Sequence, residues 1–260
     1  LYNMLRLSKR LEMIAEEVPP GSRLADIGSD HALLPIYLAE RGAIVRGIAG
    51  EVNAGPRDAA DRNVRAHGMA GLIDVRLGDG LSVVKAGEAD VVTIAGMGGA
   101  LIASILGQGL DKLSGVRRLV LQPNVGEFIV REWLYAHGWV LTGERILEED
   151  GKIYEILTAV PEGDAPLTNS KLYRERRWPG EQAAAGRELL LKLGPYLTDQ
   201  APPVWAAKWE RELGKLQMIA DQLGNSNAEA SQQKRTELLN EMEQIREVLR
   251  CSQKVKPSSN

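Results

Sequence analysis

Between Arg23 and Val160 the chain alternates short β-branched runs with amphipathic stretches, and this alternation constrains its fold more than any other feature. The runs are Arg23–Ile27, Ile44–Ala49, Ile73–Leu77, Val91–Ala95 and Leu119–Gln122, with stretches such as Pro56–Ala66 and Gly126–His137 between them. Such a pattern predicts repeated βα units on a parallel sheet. Two further runs, Trp139–Leu147 and Ile153–Val160, are separated only by Glu148-Glu149-Asp150-Gly151-Lys152. Asp-Gly marks a tight hairpin, and a parallel crossover needs a dozen or more residues, so these two strands must run antiparallel. The expected fold class is α/β, a mostly parallel sheet ending in an antiparallel hairpin.

The flanks read differently. Leu5 through Ala15 places apolar residues at helical spacing and stops at Val18-Pro19-Pro20-Gly21. Pro161–Ser170 is rich in Pro, Gly, Asp, Asn and Ser and reads as a linker. Beyond it strand runs vanish. Trp205, Trp209, Leu213, Leu216, Ile219/Ala220 and Leu223 follow a helical period, as do Leu238, Met242, Ile245 and Leu249, with Gly224-Asn225-Ser226-Asn227 between them. Two helices joined by a short polar turn should fold back as an antiparallel, coiled-coil-like pair with the stripes as its seam. The expected domains are 1–164, with the sheet, and 165–260, helical.

Composition bounds the function classes. A single cysteine excludes a disulfide framework and a multi-thiolate metal site, and no His/Asp/Glu cluster has metal spacing. Cys251, near the tail, reads as inert surface, and the chain from Lys254 onward as frayed. A net charge of −3 argues against a uniformly basic nucleic-acid binder but leaves room for a basic patch. No apolar run approaches the ~18 residues of a membrane span and no secretory leader is seen, so a cytoplasmic protein without membrane contact is expected.

Chemistry concentrates where strands end. Asp26-Ile27-Gly28-Ser29-Asp30-His31-Ala32 closes the first strand and opens a helix. Ligands of doubly wound sheets sit there, and Gly28 allows a tight turn and close approach of a ligand to the main chain. Asp30 stands where a dinucleotide fingerprint has its second glycine, which disfavours an NAD-dependent dehydrogenase; its structural alternative is a helix cap. Glu51 ends the second strand, placed to accept from ribose hydroxyls. Gly78-Asp79-Gly80 ends the third, where a carboxylate can accept from an exocyclic amine such as adenine N6 or simply open a turn. Gly96-Met97-Gly98-Gly99 ends the fourth, implying unusual backbone angles, a close ligand or a tightly packed helix start. Gln122-Pro123-Asn124 ends the fifth and can contact a second substrate or cap the next helix.

Three acidic strand ends, a glycine turn without the pyrophosphate pattern and a terminal antiparallel hairpin together resemble the class I S-adenosylmethionine-dependent methyltransferases. In that fold the seventh strand lies antiparallel between the fifth and sixth. A narrower likeness rests on Leu7-Ser8-Lys9-Arg10-Leu11, Ala25 through Ala32, Ile48-Ala49-Gly50-Glu51, Gly78-Asp79-Gly80-Leu81, Thr93 through Gly99, Leu121-Gln122-Pro123-Asn124 and Arg131-Glu132-Trp133-Leu134. These blocks resemble the TrmK family, bacterial tRNA methyltransferases that form N1-methyladenosine at position 22. The resemblance implies a seven-stranded Rossmann-like sheet with a C-terminal helical extension, S-adenosylmethionine as methyl donor leaving S-adenosylhomocysteine, no metal, and tRNA as partner with no obligate protein partner. With the strand-end logic it assigns cofactor binding to Asp26, Gly28, Ser29, Asp30, His31, Glu51, Asp79, Gly80, Gly96, Met97 and Gly98. It offers Asp30, Gln122 and Asn124 as catalytic candidates at the target adenine.

The adenine N1 atom is hidden in a base pair, so the base must be extruded or already unpaired, and phosphate contacts must supply much of the affinity. Lys9 and Arg10, then Lys171, Arg174, Arg176 and Arg177, are the best basic clusters; Arg57, Arg62 and Arg65 form a third, and each has a solvated helix face as its alternative. His31 can cap or pack the helix start or transfer a proton, while His67 and His137 suit helix C-termini. Two other readings stay open: a methyltransferase for a small molecule or protein, and a non-catalytic nucleoside-binding module with a protein-interaction arm.

Overall fold

The computed structural model describes residues 5–254. The chain divides into two compact units, Leu1–Asn169 and Ser170–Asn260.

The first unit is built on seven strands: β1 (Ser22–Ile27), β2 (Ile44–Glu51), β3 (Ile73–Leu77), β4 (Val91–Gly98), β5 (Arg118–Val125), β6 (Trp139–Glu149) and β7 (Lys152–Pro161). Their order is β3-β2-β1-β4-β5-β7-β6. The pairings β1–β2, β1–β4, β2–β3 and β4–β5 are parallel, while β7 is antiparallel to both β5 and β6. This is the expected Rossmann-like methyltransferase sheet. The first order reversal lies between β1 and β4, so a crevice opens above their carboxyl ends.

Helices α1 (Lys9–Glu16), α2 (Leu33–Glu40) and α3 (Ala54–Ala66) bury Ile14, Ile36 and Val64 in one apolar cluster with Leu24, Val91 and Val120 of the sheet. Helices α4 (Gly99–Gln108) and α5 (Glu127–Ala136) pack on each other and on β4, β5 and β6. Gly99 is required at the start of α4, because a Cβ there would stand 2.1 Å from the Gly126 carbonyl oxygen. The tight-packing alternative for the glycine run therefore applies to Gly99, whereas Gly96 and Gly98 belong to β4, whose register with β5 shifts at Met97.

The first helix starts later than its periodicity suggests. Residues 5–8 are not helical, and the Ser8 hydroxyl caps the helix by accepting the Leu11 N–H at 3.3 Å. Glu149, at the end of β6, accepts the Lys9 and Arg10 N–H groups at 2.7 and 3.2 Å, placing a carboxylate at the positive end of α1. At the other end the Arg145 guanidinium bonds Glu16, and the Thr158 hydroxyl donates to Glu17.

The second unit contains the paired two-residue strands β8 (Arg176–Arg177) and β9 (Ala184–Ala185), which the sequence pattern did not reveal. The short helix α6 (Asn169–Leu172) precedes them, and α7 (Arg187–Leu193), α8 (Pro195–Gln200), α9 (Pro203–Gly224) and α10 (Glu229–Lys254) follow. The long helices α9 and α10 pack together as expected, burying Trp205, Trp209, Leu213 and Ala220 on one and Met242, Ile245, Val248 and Leu249 on the other. The Trp205 indole N–H donates to the Leu193 carbonyl at 2.8 Å. Ala220, and not Ile219, faces the seam, since Ile219 is 46% exposed. Cys251 is a correction to the surface reading: α10 runs past it to Lys254 and buries it. The tail beyond Lys254 lies outside the described residues.

One charged cluster clips α5 to the hairpin. Arg131 Nε donates to Glu144 at 2.6 Å and its Nη2 to Glu155 at 2.5 Å, with all three side chains fully buried. Removing the guanidinium leaves two carboxylates without their cation in a dry setting. Arg131→Met should cost about 3–5 kcal/mol of unfolding free energy, read as a lower urea midpoint; a loss below about 1 kcal/mol would show that these pairs do not hold α5.

Candidate active site

The turn after β1 is strained and tied down. Gly28 has φ +70°, and Asp30, His31 and Ala32 follow with φ 41°, 63° and 57°. A left-handed non-glycine residue costs of order 1–3 kcal/mol, so three in succession need compensation. Gly28 N–H and Ser29 N–H donate to the Gly50 carbonyl at 2.9 and 3.2 Å. Asp30 N–H donates to Glu51 Oε1 at 2.6 Å, and Asn63 Nδ2 donates to the His31 carbonyl at 2.8 Å. Ala32 is the N-cap residue of α2 and no side chain caps that helix, so Asp30 is not its cap. The Asp30 side chain is 87% exposed, with His31 Nε2 3.6 Å away.

Asp26 lies beneath this turn. Its two oxygens accept from the Ser29 and Thr93 hydroxyls, each at 2.5 Å. Burial pushes its carboxyl up to about 6, with the two hydroxyls opposing that rise and Glu51 and Asp30 adding to it. Glu51 is buried as well, and desolvation raises its carboxyl above the usual range. Its Oε2 bonds no described residue. Asp79 is exposed at the end of β3, and its side chain makes no hydrogen bond among the described residues. Gly78 N–H donates to the Glu51 carbonyl at 2.8 Å, which locks the β3 end to the β2 end. Gly28, Glu51 and Asp79 thus form one row along the carboxyl ends of β1, β2 and β3, and Gly80 follows at φ +51°.

A polar cleft of about 300 Å³ adjoins the row and is lined in part by Asp26, Gly28, Asp30, Met97, Asn124 and Tyr154. A Cβ at Gly28 would stand 2.2 Å from the movable Met97 Cε, and it is the φ of +70° that calls for glycine here. Gly96 has φ +76°. Gln122 is fully buried below the cleft, where its Oε1 accepts from Arg10 Nη1 at 2.6 Å and from Gly96 N–H at 3.1 Å. Its Nε2 donates to the Pro123 carbonyl at 2.9 Å and to Asn124 Oδ1 at 3.1 Å. Asn124 Nδ2 donates to the Gly96 carbonyl at 2.8 Å. Gln122 and Asn124 therefore cap no helix; both belong to β5, which runs on to Val125.

Several residues sit elsewhere than their patterns suggest. Arg10, read as a phosphate contact, turns its guanidinium into the cleft, bonded to Gln122 and 5.4 Å from the Tyr154 ring centroid. Lys9 stays exposed. In the second unit Lys171, Arg174 and Arg177 are exposed, Arg177 pairing with Glu175 at 2.6 Å, and Arg176 pairs with Asp199 at 3.1 Å. His67 and His137, by contrast, stand where expected, as the C-cap residues of α3 and α5; His67 Nδ1–H donates to the Glu40 carboxylate at 2.7 Å, and His137 stacks on Trp133 with ring centroids 4.2 Å apart. Thr93 and Tyr154 escaped the sequence reading. Thr93 carries one usable signal, a polar residue inside an apolar strand; Tyr154 carries none, because only the place of β7 in the sheet brings it to the cleft.

Among the described residues no group of three or more His, Cys, Asp or Glu could hold a metal ion, and no helix is long and apolar enough to cross a membrane.

Residues 24–247 match the family described as TrmK: tRNA (adenine(22)-N(1))-methyltransferase. The chain is 46% identical over 248 residues to the tRNA (adenine(22)-N(1))-methyltransferase of Bacillus subtilis (strain 168), covering 95% of this chain and 98% of that protein. The crystal structure of the B. subtilis M1A22 tRNA methyltransferase TrmK aligns with a TM-score of 0.85 at 44% identity, over 94% of this chain and 99% of that one. The structure of Streptococcus pneumoniae Sp1610 in complex with S-adenosyl-L-methionine aligns with a TM-score of 0.77 at 42% identity, over 94% of this chain and all of that one. Agreement across nearly the full length, in sequence and in backbone, places the chain in the TrmK family of tRNA (adenine(22)-N(1))-methyltransferases.

Proposed function

We propose that the protein transfers a methyl group from S-adenosylmethionine to N1 of the adenine at position 22 of tRNA. The observation that carries this reading is the row of Gly28, Glu51 and Asp79 along three strand ends, whose β1 member, Gly28, lines the same cleft as Asn124. Family membership supports it.

The residues present fit the cofactor. Glu51 Oε2 is left to accept from a ribose hydroxyl, and the unbonded Asp79 carboxylate can accept from an adenine amine, with Gly80 giving the backbone room beside it. The turn Gly28-Ser29-Asp30-His31 bounds the near side, and Gly96-Met97-Gly98 the side facing the second substrate. Asp26 supplies negative charge beneath the turn for a cationic ligand. When bound, S-adenosylmethionine supplies an electrophilic methyl group on a sulfonium whose leaving thioether needs no proton.

Adenine N1 has its own lone pair, so no general base is required, and orientation alone can contribute ~7–11 kcal/mol. The exposed Asp30 carboxylate faces the cleft and favours the cationic product electrostatically. Asn124 contacts the target base, and the buried Gln122 acts on it only through Asn124, Gly96 and Arg10. Lys9, Lys171 and Arg174 are exposed and so placed to meet phosphates. We place this activity in the cytoplasm, where tRNA is available.

Four measurements test this reading. Incubation with S-adenosylmethionine and unmodified bacterial tRNA should yield N1-methyladenosine at position 22 by nucleoside mass spectrometry and site mapping; its absence refutes the function. Calorimetric affinity for S-adenosylmethionine should fall about tenfold between pH 7.5 and 5, as Asp26 protonates through about 6. Asp26→Asn should bind more weakly and without that dependence. The free protein behaves oppositely: a raised carboxyl contributes stability at acid pH that is lost as pH rises from 3.8 through about 6. Asp26→Asn should therefore lack that fall in stability between pH 3.8 and 7.5, and the same pH dependence in both proteins would refute the burial argument. Finally, Lys9→Gln, or Lys171→Gln with Arg174→Gln, should lower the log–log salt slope of tRNA binding by about 0.7–0.9 for each phosphate that is no longer neutralised; an unchanged slope removes these residues from the RNA surface.

A further inference from the structure

Asn124 is the exposed end of a hydrogen-bond network whose polarity is set by groups of fixed character. Gln122 Oε1 receives two donors that cannot accept, the Arg10 guanidinium and the Gly96 N–H. Gln122 Nε2 therefore faces acceptors, the Pro123 carbonyl and Asn124 Oδ1. Asn124 Nδ2 in turn faces the Gly96 carbonyl. Each half of the Asn124 amide is thus half used. Oδ1 has two lone pairs and accepts one hydrogen bond; Nδ2 has two hydrogens and donates one. One acceptor and one donor remain on a side chain that lines the cleft.

That remaining pair is the complement of one edge of adenine. The N6 amine donates and N7 accepts, and a planar amide spans the two bidentately. Resting on the function proposed above, we infer that Asn124 reads the N6/N7 edge of the target adenine. The opposite edge, with N1, is then free to meet the methyl donor. Regiochemistry and base choice follow from one side chain: an amide on the N6/N7 edge cannot obstruct N1, and guanine, with acceptors at both O6 and N7, would set its O6 against Asn124 Oδ1.

The test uses tRNA carrying 7-deazaadenosine at position 22, which deletes the N7 acceptor and keeps N1 and N6. Single-turnover assays with excess enzyme keep slow reactions measurable. The intact enzyme should methylate this tRNA about 5- to 150-fold less efficiently than the adenosine form, the range of one bidentate base contact. Asn124→Ala should bring that ratio to near one while binding S-adenosylhomocysteine with affinity within about twofold of the parent. Equal rates on the two tRNAs with the intact enzyme overturn the inference and leave the methyltransferase reading in place. A ratio that persists in Asn124→Ala overturns it also, by placing N7 recognition elsewhere. Failure to form N1-methyladenosine on either tRNA refutes the function, and the inference with it.

Discussion

The site depends on one carboxylate kept out of water. Asp26 lies one residue before the end of β1, beside the point where strand order reverses, and it is held by the Ser29 and Thr93 hydroxyls. Those bonds tie the turn after β1 to β4, and the Gly50 carbonyl and Glu51 tie the same turn to β2. An ionised group in that setting costs free energy, as does the left-handed run from Asp30 to Ala32. The turn is held against both costs because the surrounding sheet over-determines it, which leaves a rigid, negatively charged floor.

The opposite wall comes from a different part of the chain. Because β7 inserts between β5 and β6, Tyr154 reaches the cleft, while Glu149 of β6 lies at the start of α1. That carboxylate and the Arg145–Glu16 pair fix α1 at both ends, and α1 delivers Arg10 onto Gln122. The buried Arg131 with Glu144 and Glu155 fixes the hairpin to α5 on the far face. The cleft is therefore assembled from α1, β1 with the turn and α2 that follow it, β4, β5 and β7, elements drawn from across the first unit.

Much of this is legible in the sequence. The seven strands read correctly because each is rich in β-branched or other apolar residues and bounded by turn residues, and the hairpin because five intervening residues cannot cross over. Glu51 and Asp79 stand out because acidic residues rarely follow buried strands without reason. Other features carry no local signal. The placement of Arg10 reflects a cap supplied from a strand distant in sequence, and the burial of Gln122 follows from β5 running on to Val125. Cys251 is peripheral by position, yet a helix extending to Lys254 turns it inward. Ile219 and Ala220 share one stretch of the helical period, and only packing selects the smaller for the seam.

The sequence by itself determined the order and kind of the elements and the motifs at the strand ends, because periodicity and turn chemistry act over a few residues. It also carried the family likeness, since those motifs are contiguous. Tertiary structure alone decided which carboxylates are buried, which arginine enters the cleft and how the amides of Gln122 and Asn124 point. Desolvation and hydrogen-bond polarity depend on neighbours brought from distant strands, and no local pattern records them.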